Sequence, residues 1–266
     1  MQQRTAGMII VAAIAAGCSS VRPREVPVGA HFRVMTYNVN WGGPRPDLAA
    51  KAIARADADI VCLQEATAAW ADYLRENLGA QYPFMKFSGL RGRGAGGMAF
   101  LSKQPGEQIA YVRSGTKWFD GWIMKFPTPA SPVQILNLHL QPPANERGSI
   151  TVSSYLTSGS KHLAEIKRFH KDLQPDIPTL IVGDFNEEDD GDAISWLEEK
   201  GMTNALPEFD RKSKTWRWRV GLVTLRKRLD HIVYSPGIRC YGANVLKAGA
   251  SDHLPVVAVF GIQEEE

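Results

Sequence analysis

The stretch that most limits what this chain can fold into is residues 178–186, PTLIVGDFN, an apolar run that stops at Gly183 and gives way at once to Asp184 and Asn186. A short apolar run of this kind reads as a buried strand, and it delivers polar groups to a sheet edge, where catalytic groups are commonly mounted. The same event recurs at Asn38 after FRVMTY, at Glu65 after DIVCLQ, and at Ser251-Asp252-His253 before the closing run LPVVAVF. Packing does not call for polar groups at four strand ends. They are read as one site.

A site drawn from positions as far apart as Asn38 and His253 requires a single domain, and 266 residues with 44% hydrophobic side chains can bury one large core. The net charge of +3 permits an anionic partner without demanding one. The chain opens βαβα. A strand at 31–40 leads to a helix from Pro46 through Leu48, Ala52, Ile53 and Ala56; a strand at 59–65 leads to a helix capped by Thr67 and closed by Gly79. Strands follow at 82–87, 97–102, 108–113, 122–126 and 133–140, then a helix at 161–173, the GDFN strand, a helix at 193–200, and strands at 228–234, 239–246 and 254–262. The order gives two halves, each a sheet with helices on one side. The fold expected is an α/β (α+β) four-layer αββα sandwich, two mixed sheets packed face to face and flanked by helices.

Residues 1–18 have the layout of a bacterial export signal, with Arg4, an apolar stretch at 6–16 and small residues before Cys18. That stretch is about half of the roughly 20 residues a spanning helix needs. Ala15-Ala16-Gly17-Cys18 resembles a lipoprotein processing site, at which Cys18 would become the lipidated first residue; Ala13-Ile14-Ala15 offers an ordinary cleavage site instead. The expectation is an exported, membrane-anchored lipoprotein, or with ordinary cleavage a periplasmic or secreted protein. Residues 19–30 read as a Pro-rich tether, 31–262 as the domain and 263–266 as an acidic tail. Export would permit a disulfide, but Cys62 sits within an apolar run, and Cys62 and Cys240 read as two packed thiols.

Glu65 ends an apolar run and would be costly to bury unpaired. A hard cation removes that cost, and the oxygens of Glu65, Asp252 and Asn38 suit Mg²⁺ or Mn²⁺ better than zinc. Asp230, in RLDHIVYS, is placed to hold the tautomer and stabilise the cation of His253. Its neighbour His231 points to the opposite strand face and reads as a packing or surface residue.

TYNV, LQE, NLHL, GDFN, RLDHIVYS and SDHLPV, in that order, resemble the six signature blocks of the endonuclease/exonuclease/phosphatase superfamily, the deoxyribonuclease-like metal phosphoesterases, over residues 31–262. The resemblance implies that Glu65 and Asn38 lie in the metal shell and that Asp252 completes it or holds its water. It implies that Asp184 and Asn186 orient water and a phosphate oxygen. His253, supported by Asp230, would be a general base or a phosphate-binding group, and His139 would contact the phosphate or protonate the leaving oxygen. NLHL resembles the branch that holds non-specific nucleases, sphingomyelinases, deadenylases and inositol-polyphosphate phosphatases.

The stretch RKSKTWRWR at 211–219, followed by LRKR at 225–228, interleaves basic and aromatic residues. Trp216 and Arg217 suit a nucleic-acid strand, and the same mix suits an anionic membrane; the bland alternative is a solvated strand pair with Trp216, Trp218 and Val220 facing inward. Arg147, in the loop after His139, could meet a phosphate, with an ordinary surface arginine as the favoured alternative. The function expected is a Mg²⁺-dependent phosphodiesterase, monomeric, with nuclease action preferred. A phospholipid or sphingomyelin phosphodiesterase, or an inositol-polyphosphate phosphatase, is the alternative, and a non-catalytic surface binding module is the alternative of another class.

Overall fold

Apolar residues on both faces of a strand demand cover on both faces, and β2 (Ile60–Gln64), IVCLQ, has it. Ile60 and Cys62 point into one core cluster while Val61 and Leu63 point into another. The computed structural model describes residues 24–26, 29, 31–43, 45–89, 95–143 and 158–263. Cys18, Arg147, Arg91 and Arg93 lie outside them.

One six-stranded sheet has the order β13-β14-β1-β2-β4-β3, built from β1 (Phe32–Asn38), β2, β3 (Phe84–Ser88), β4 (Met98–Ser102), β13 (Ile238–Val245) and β14 (Val256–Ile262). The other has the order β5-β6-β7-β8-β12-β9, from β5 (Glu107–Val112), β6 (Gly121–Phe126), β7 (Val133–His139), β8 (Thr179–Asp184), β9 (Thr203–Asn204) and β12 (Asp230–Tyr234). Between the sheets lies a core that includes Phe32, Val34, Phe100, Trp122, Leu180 and Ile232. Helices α1 (Pro46–Ala56) and α2 (Ala68–Leu78) cover the first sheet through residues such as Ile53, Trp70 and Leu74. Helices α3 (Ser158–His170) and α4 (Asp192–Glu199) cover the second through Ile166, Phe169, Ile194 and Leu197. This is the expected four-layer sandwich.

Local chemistry matches much of the reading. Thr67 caps α2 by accepting a bond from Trp70 N at 3.4 Å, and Pro46 opens α1, where a missing N–H costs nothing. Cys62 and Cys240 are free and buried, on strands separated by β14 and β1. Three details differ. The helix expected at 161–173 runs Ser158–His170, because side-chain periodicity marks the apolar face but not the turn at which a helix starts. A short strand, β9, and a short helix, α5 (Ala205–Phe209), were not foreseen. The expected tether is fastened at Arg24, whose guanidinium donates to Cys240 O at 2.6 Å and pairs with Glu208 at 2.9 Å. Among the described residues no helix is long and apolar enough to cross a membrane.

Beneath the site the sheets are locked by a polar link. Gln64 Nε2 donates to Asn137 Oδ1 at 2.7 Å, and Asn137 Nδ2 donates to Leu63 O and Ala99 O, both at 3.1 Å. Every polar atom of the Asn137 amide is thus used, the condition under which a buried network specifies register rather than weakening a core.

Gly183 explains why the apolar run ends in glycine. Its φ is +146°, and a Cβ there would stand 1.9 Å from Leu138 O on the neighbouring strand. The Gly183→Ala variant is therefore expected to lose about 2–3 kcal/mol of stability, read as a lowered urea midpoint at unchanged m value. An unchanged midpoint would show that the strands can part at no cost.

Candidate active site

Strand register brings three of the expected residues into one row. His139 on β7 pairs with Asp184 on β8, and Asp184 pairs with Asp230 on β12. From the facing sheet Asn38 ends β1, Glu65 follows β2, and Ser251 to His253 precede β14. The four polar strand ends therefore meet at one end of the sandwich.

Asn38 joins the two sheets. Its Nδ2 donates to Glu65 Oε1 and to Asp184 Oδ2, each at 3.0 Å, while its Oδ1 accepts Asn40 N–H at 3.0 Å. The backbone donor at Oδ1 fixes the orientation of the amide, so Asn38 presents donors to the two carboxylates. Its amide holds Glu65 and Asp184 in position. Glu65 Oε2 accepts Trp41 N–H at 3.0 Å. On the other flank Asp252 accepts from Asn40 Nδ2 at 2.8 Å and from Trp216 Nε1 at 3.2 Å. Trp216 thus belongs to the site as an orienter of Asp252, whereas Arg217 is exposed beyond it.

Asn40, Glu65 and Asn186 are held at φ of 59°, 61° and 52°. Such a backbone costs about 1 kcal/mol or more per non-glycine residue and persists where surrounding bonds over-determine it. Asn186 shows those bonds: its N–H donates to Asp184 Oδ1 at 3.0 Å and its Nδ2 to Leu140 O at 2.8 Å. It ties the ends of β7 and β8 together around the Asp184 carboxylate.

His253 Nδ1 lies 2.9 and 3.1 Å from the two oxygens of Asp230, and its Nε2 lies 3.5 Å from Asp184 Oδ2. Burial alone would lower this imidazole's pKa, but the Asp230 and Asp184 carboxylates outweigh it and push it up to about 10. The two carboxylates thus favour the imidazolium form of His253. Asp184 is pushed up to about 7, mainly by burial; the His253 cation opposes the rise and Asp230 adds to it. Burial also raises Glu65. His139 is the reverse case, held well below the ordinary imidazole range by burial and by the nearby His253 cation. Its ring stacks on Phe119 with centroids 3.7 Å apart, and its buried Nδ1 has no hydrogen-bond partner.

The donor set fits a divalent cation. Glu65, Asp184, Asp230 and Asp252 converge here, and among the described residues no Lys or Arg forms an ion pair with any of them. His253 is the single cation they share. Asp184, Asp230 and His253 offer atoms within 4.8 Å of one another, spacing compatible with a metal. An imidazolium held by Asp230 repels a cation, and the Glu65 and Asp252 carboxylates stand outside that trio.

His231 is fully buried, with Nε2 3.0 Å from Glu187 O and Nδ1 3.0 Å from Asn204 Nδ2, a packing residue as expected. Asn40, Phe119 and Thr215 were missed. Thr215 Oγ1 accepts the N–H groups of Leu229 and Asp230 at 2.9 and 3.1 Å, which aims the Asp230 strand. For Asn40 a signal existed: it stands two residues after Asn38 in TYNVN and shares its strand-face parity.

The model of the Endonuclease/Exonuclease/phosphatase family matches residues 35–253. No curated protein matches. Among solved structures, an endonuclease/exonuclease/phosphatase from Beutenbergia cavernae DSM 12333 has a TM-score of 0.69 at 18% identity, covering 88% of this chain and 72% of that one. D. rerio TDP2, solved with a single-strand DNA product, has a TM-score of 0.67 at 14% identity, covering 87% and 99%. SmcL has 0.64 at 22% identity, covering 87% and 99%. At these identities the likeness is one of fold.

A folded pKa above the unfolded value means that the His253 ion pair stabilises the fold fully below pH 6.5, the ordinary imidazole value, and that this support is lost as pH rises through about 10. By ¹⁵N NMR the ring is expected to keep imidazolium shifts at pH 8, and Asp230→Asn to move its titration down toward the ordinary range. A neutral ring in the wild-type chain at pH 7 would refute the pairing.

Proposed function

This chain belongs to the Endonuclease/Exonuclease/phosphatase family, and from that premise we propose that it is a Mg²⁺- or Mn²⁺-dependent phosphodiesterase. The observation that carries the reading is the group of four buried or half-buried carboxylates around a single imidazolium, beside a neutral histidine. A binding module has no use for such an arrangement. Glu65 and Asp252 would hold the divalent cation, which would supply charge neutralisation at the phosphoryl group.

The remaining work falls to the chain's own residues. Asp184, its pKa raised mainly by burial and its carboxylate held by Asn38 and Asn186, is in this reading the group that takes a proton from the attacking water. His253, which the Asp230 and Asp184 carboxylates favour as imidazolium, serves in this reading as a donor to the phosphoryl or leaving oxygen rather than as the base. Neutral His139 contributes a hydrogen bond and no charge. Asn186 fixes the Asp184 carboxylate through its backbone N–H.

Nucleic acid is the first substrate class. Its support is a cleft of about 760 Å³ near the site, rimmed by Lys117, Lys161, Lys167, Arg168 and Lys171, with Trp118 among its walls. Phe119, the next residue, carries the stack on His139. Basic side chains with an aromatic face are what a phosphodiester strand requires. A phospholipid phosphodiesterase is the second reading, favoured by exposed Trp218, Leu222, Val223 and Leu225 in the segment whose Trp216 meets Asp252.

The test is a panel of single-stranded DNA, RNA, sphingomyelin, phosphatidylinositol and inositol phosphates, with EDTA and Asp184→Ala as controls. Cleavage of a phosphodiester that needs Mg²⁺ or Mn²⁺ and falls roughly 10²–10⁴-fold in Asp184→Ala is expected. Wild-type rates in Asp184→Ala would refute the assignment, and no product from any substrate would favour a binding module.

A further inference from the structure

In the stretch 216–227 Trp216 packs inward against Asp252, whereas Trp218 lies exposed. β10 (Trp216–Val220) and β11 (Val223–Lys227) form a two-stranded hairpin outside both main sheets, and every residue of β11 except half-buried Lys227 is exposed. Strand alternation and register sort its side chains. Trp218 stands opposite Leu225 on one face, with Val223 on the same face, and Leu222 occupies the turn after Gly221. Their exposures are 49% for Trp218, 46% for Leu225, 60% for Val223 and 98% for Leu222. The other face carries Arg217, Arg219 and Arg226.

Two features of this hairpin need a partner. Several large apolar side chains are gathered at one tip, whereas a solvated surface scatters them. Arg217 and Arg226 are also direct cross-strand partners, and like charges placed opposite one another destabilise a strand pair unless an anion neutralises them. We infer that the β10–β11 hairpin docks the protein on an anionic phospholipid bilayer, the Trp218–Leu222–Val223–Leu225 tip entering the headgroup boundary while the arginines meet lipid phosphates. Aliphatic Leu222, Val223 and Leu225 offer no ring for a base to stack on, which disfavours a nucleic-acid platform. A second copy of the chain would bring more arginine to the same face. Indole at headgroup depth and arginine reaching to phosphates are the pairings a bilayer surface selects.

The root of the hairpin gives the docking a consequence. Arg217 N donates to Asp252 O at 3.0 Å, Leu254 N donates to Thr215 O at 2.6 Å, and Trp216 bridges to His253. A hairpin anchored on lipid therefore brings the Asp252–His253 edge of the site to the membrane. This holds whichever phosphodiester is the substrate, since lipid binding and hydrolysis are read separately.

The experiment uses the full chain from cell-free translation, which leaves Cys18 unmodified, with phosphatidylcholine vesicles with and without phosphatidylserine. Binding is expected to require phosphatidylserine, to weaken as salt rises, and to drop roughly 10-fold in Leu222→Asp/Val223→Ser. Quenching of protein fluorescence by brominated phosphatidylcholine in mixed vesicles should be largely lost in Trp218→Phe, a readout that the apolar N-terminal segment does not move. Hydrolysis of a soluble aryl phosphodiester should stay unchanged in Leu222→Asp/Val223→Ser. Equal vesicle binding by wild type and variant would overturn the proposal. So would a hairpin variant that loses single-stranded DNA binding or dimer formation while vesicle binding is unaffected.

Discussion

The Asn38 amide is the contact on which the site depends, because one NH₂ group bonds a carboxylate from each sheet. Glu65 comes from the first sheet and Asp184 from the second, each 3.0 Å from Asn38 Nδ2. Two sheets that pack by apolar contact alone can slide, since hydrophobic burial is not directional. The polar link of Gln64 to Asn137 and the Asn38 bridge above it remove that freedom where the chemistry lies. A catalytic group misplaced by about 1 Å can cost roughly 10²-fold in rate, so the stiff join and the function are one requirement.

The same geometry creates an electrostatic imbalance. Asp184 and Asp230 are buried, Glu65 is raised by burial, and His253 is the cation they share. Left alone, such a cluster responds by holding protons, which is the meaning of an Asp184 pKa near 7 and a His253 pKa near 10. A divalent cation held at Glu65, as proposed, would relieve the imbalance on that side and leave the His253–Asp230 pair intact. Strain at Asn40, Glu65 and Asn186 belongs to the same account, since left-handed backbone is tolerated there only because neighbouring bonds enforce it.

Much of this was legible in the sequence, for a physical reason. A strand buried on both faces has no choice but an apolar run, so polar residues at its end stand out; GDFN and the Asp230 block each mark a true strand end, and SDH stands shortly before one. Fold class followed from the order of elements. Contacts between elements were less legible. Asn40 reaches Asp252 across 212 positions and Phe119 stacks on His139 from a loop, and neither pairing leaves a local periodic signal. Alternation in 216–227 told which side chains share a face but not whether anything covers that face; Asp252 meets Trp216 at the root, and Trp218, Val223 and Leu225 lie in solvent. The protonation of His253 depends on two carboxylates from the other sheet, which no reading of SDH alone supplies.

The central claim is that this carboxylate cluster is the seat of a hard divalent cation. Mn²⁺ binding by calorimetry at pH 7.5 tests it most directly, comparing the wild-type chain with Glu65→Gln, a change that keeps shape and removes one charge. The account predicts that Mn²⁺ binds the wild-type chain, that Glu65→Gln weakens it roughly 10-fold or more, and that the circular dichroism of the two chains is the same. Equal Mn²⁺ affinity in the two chains, or none in the wild type, would contradict it.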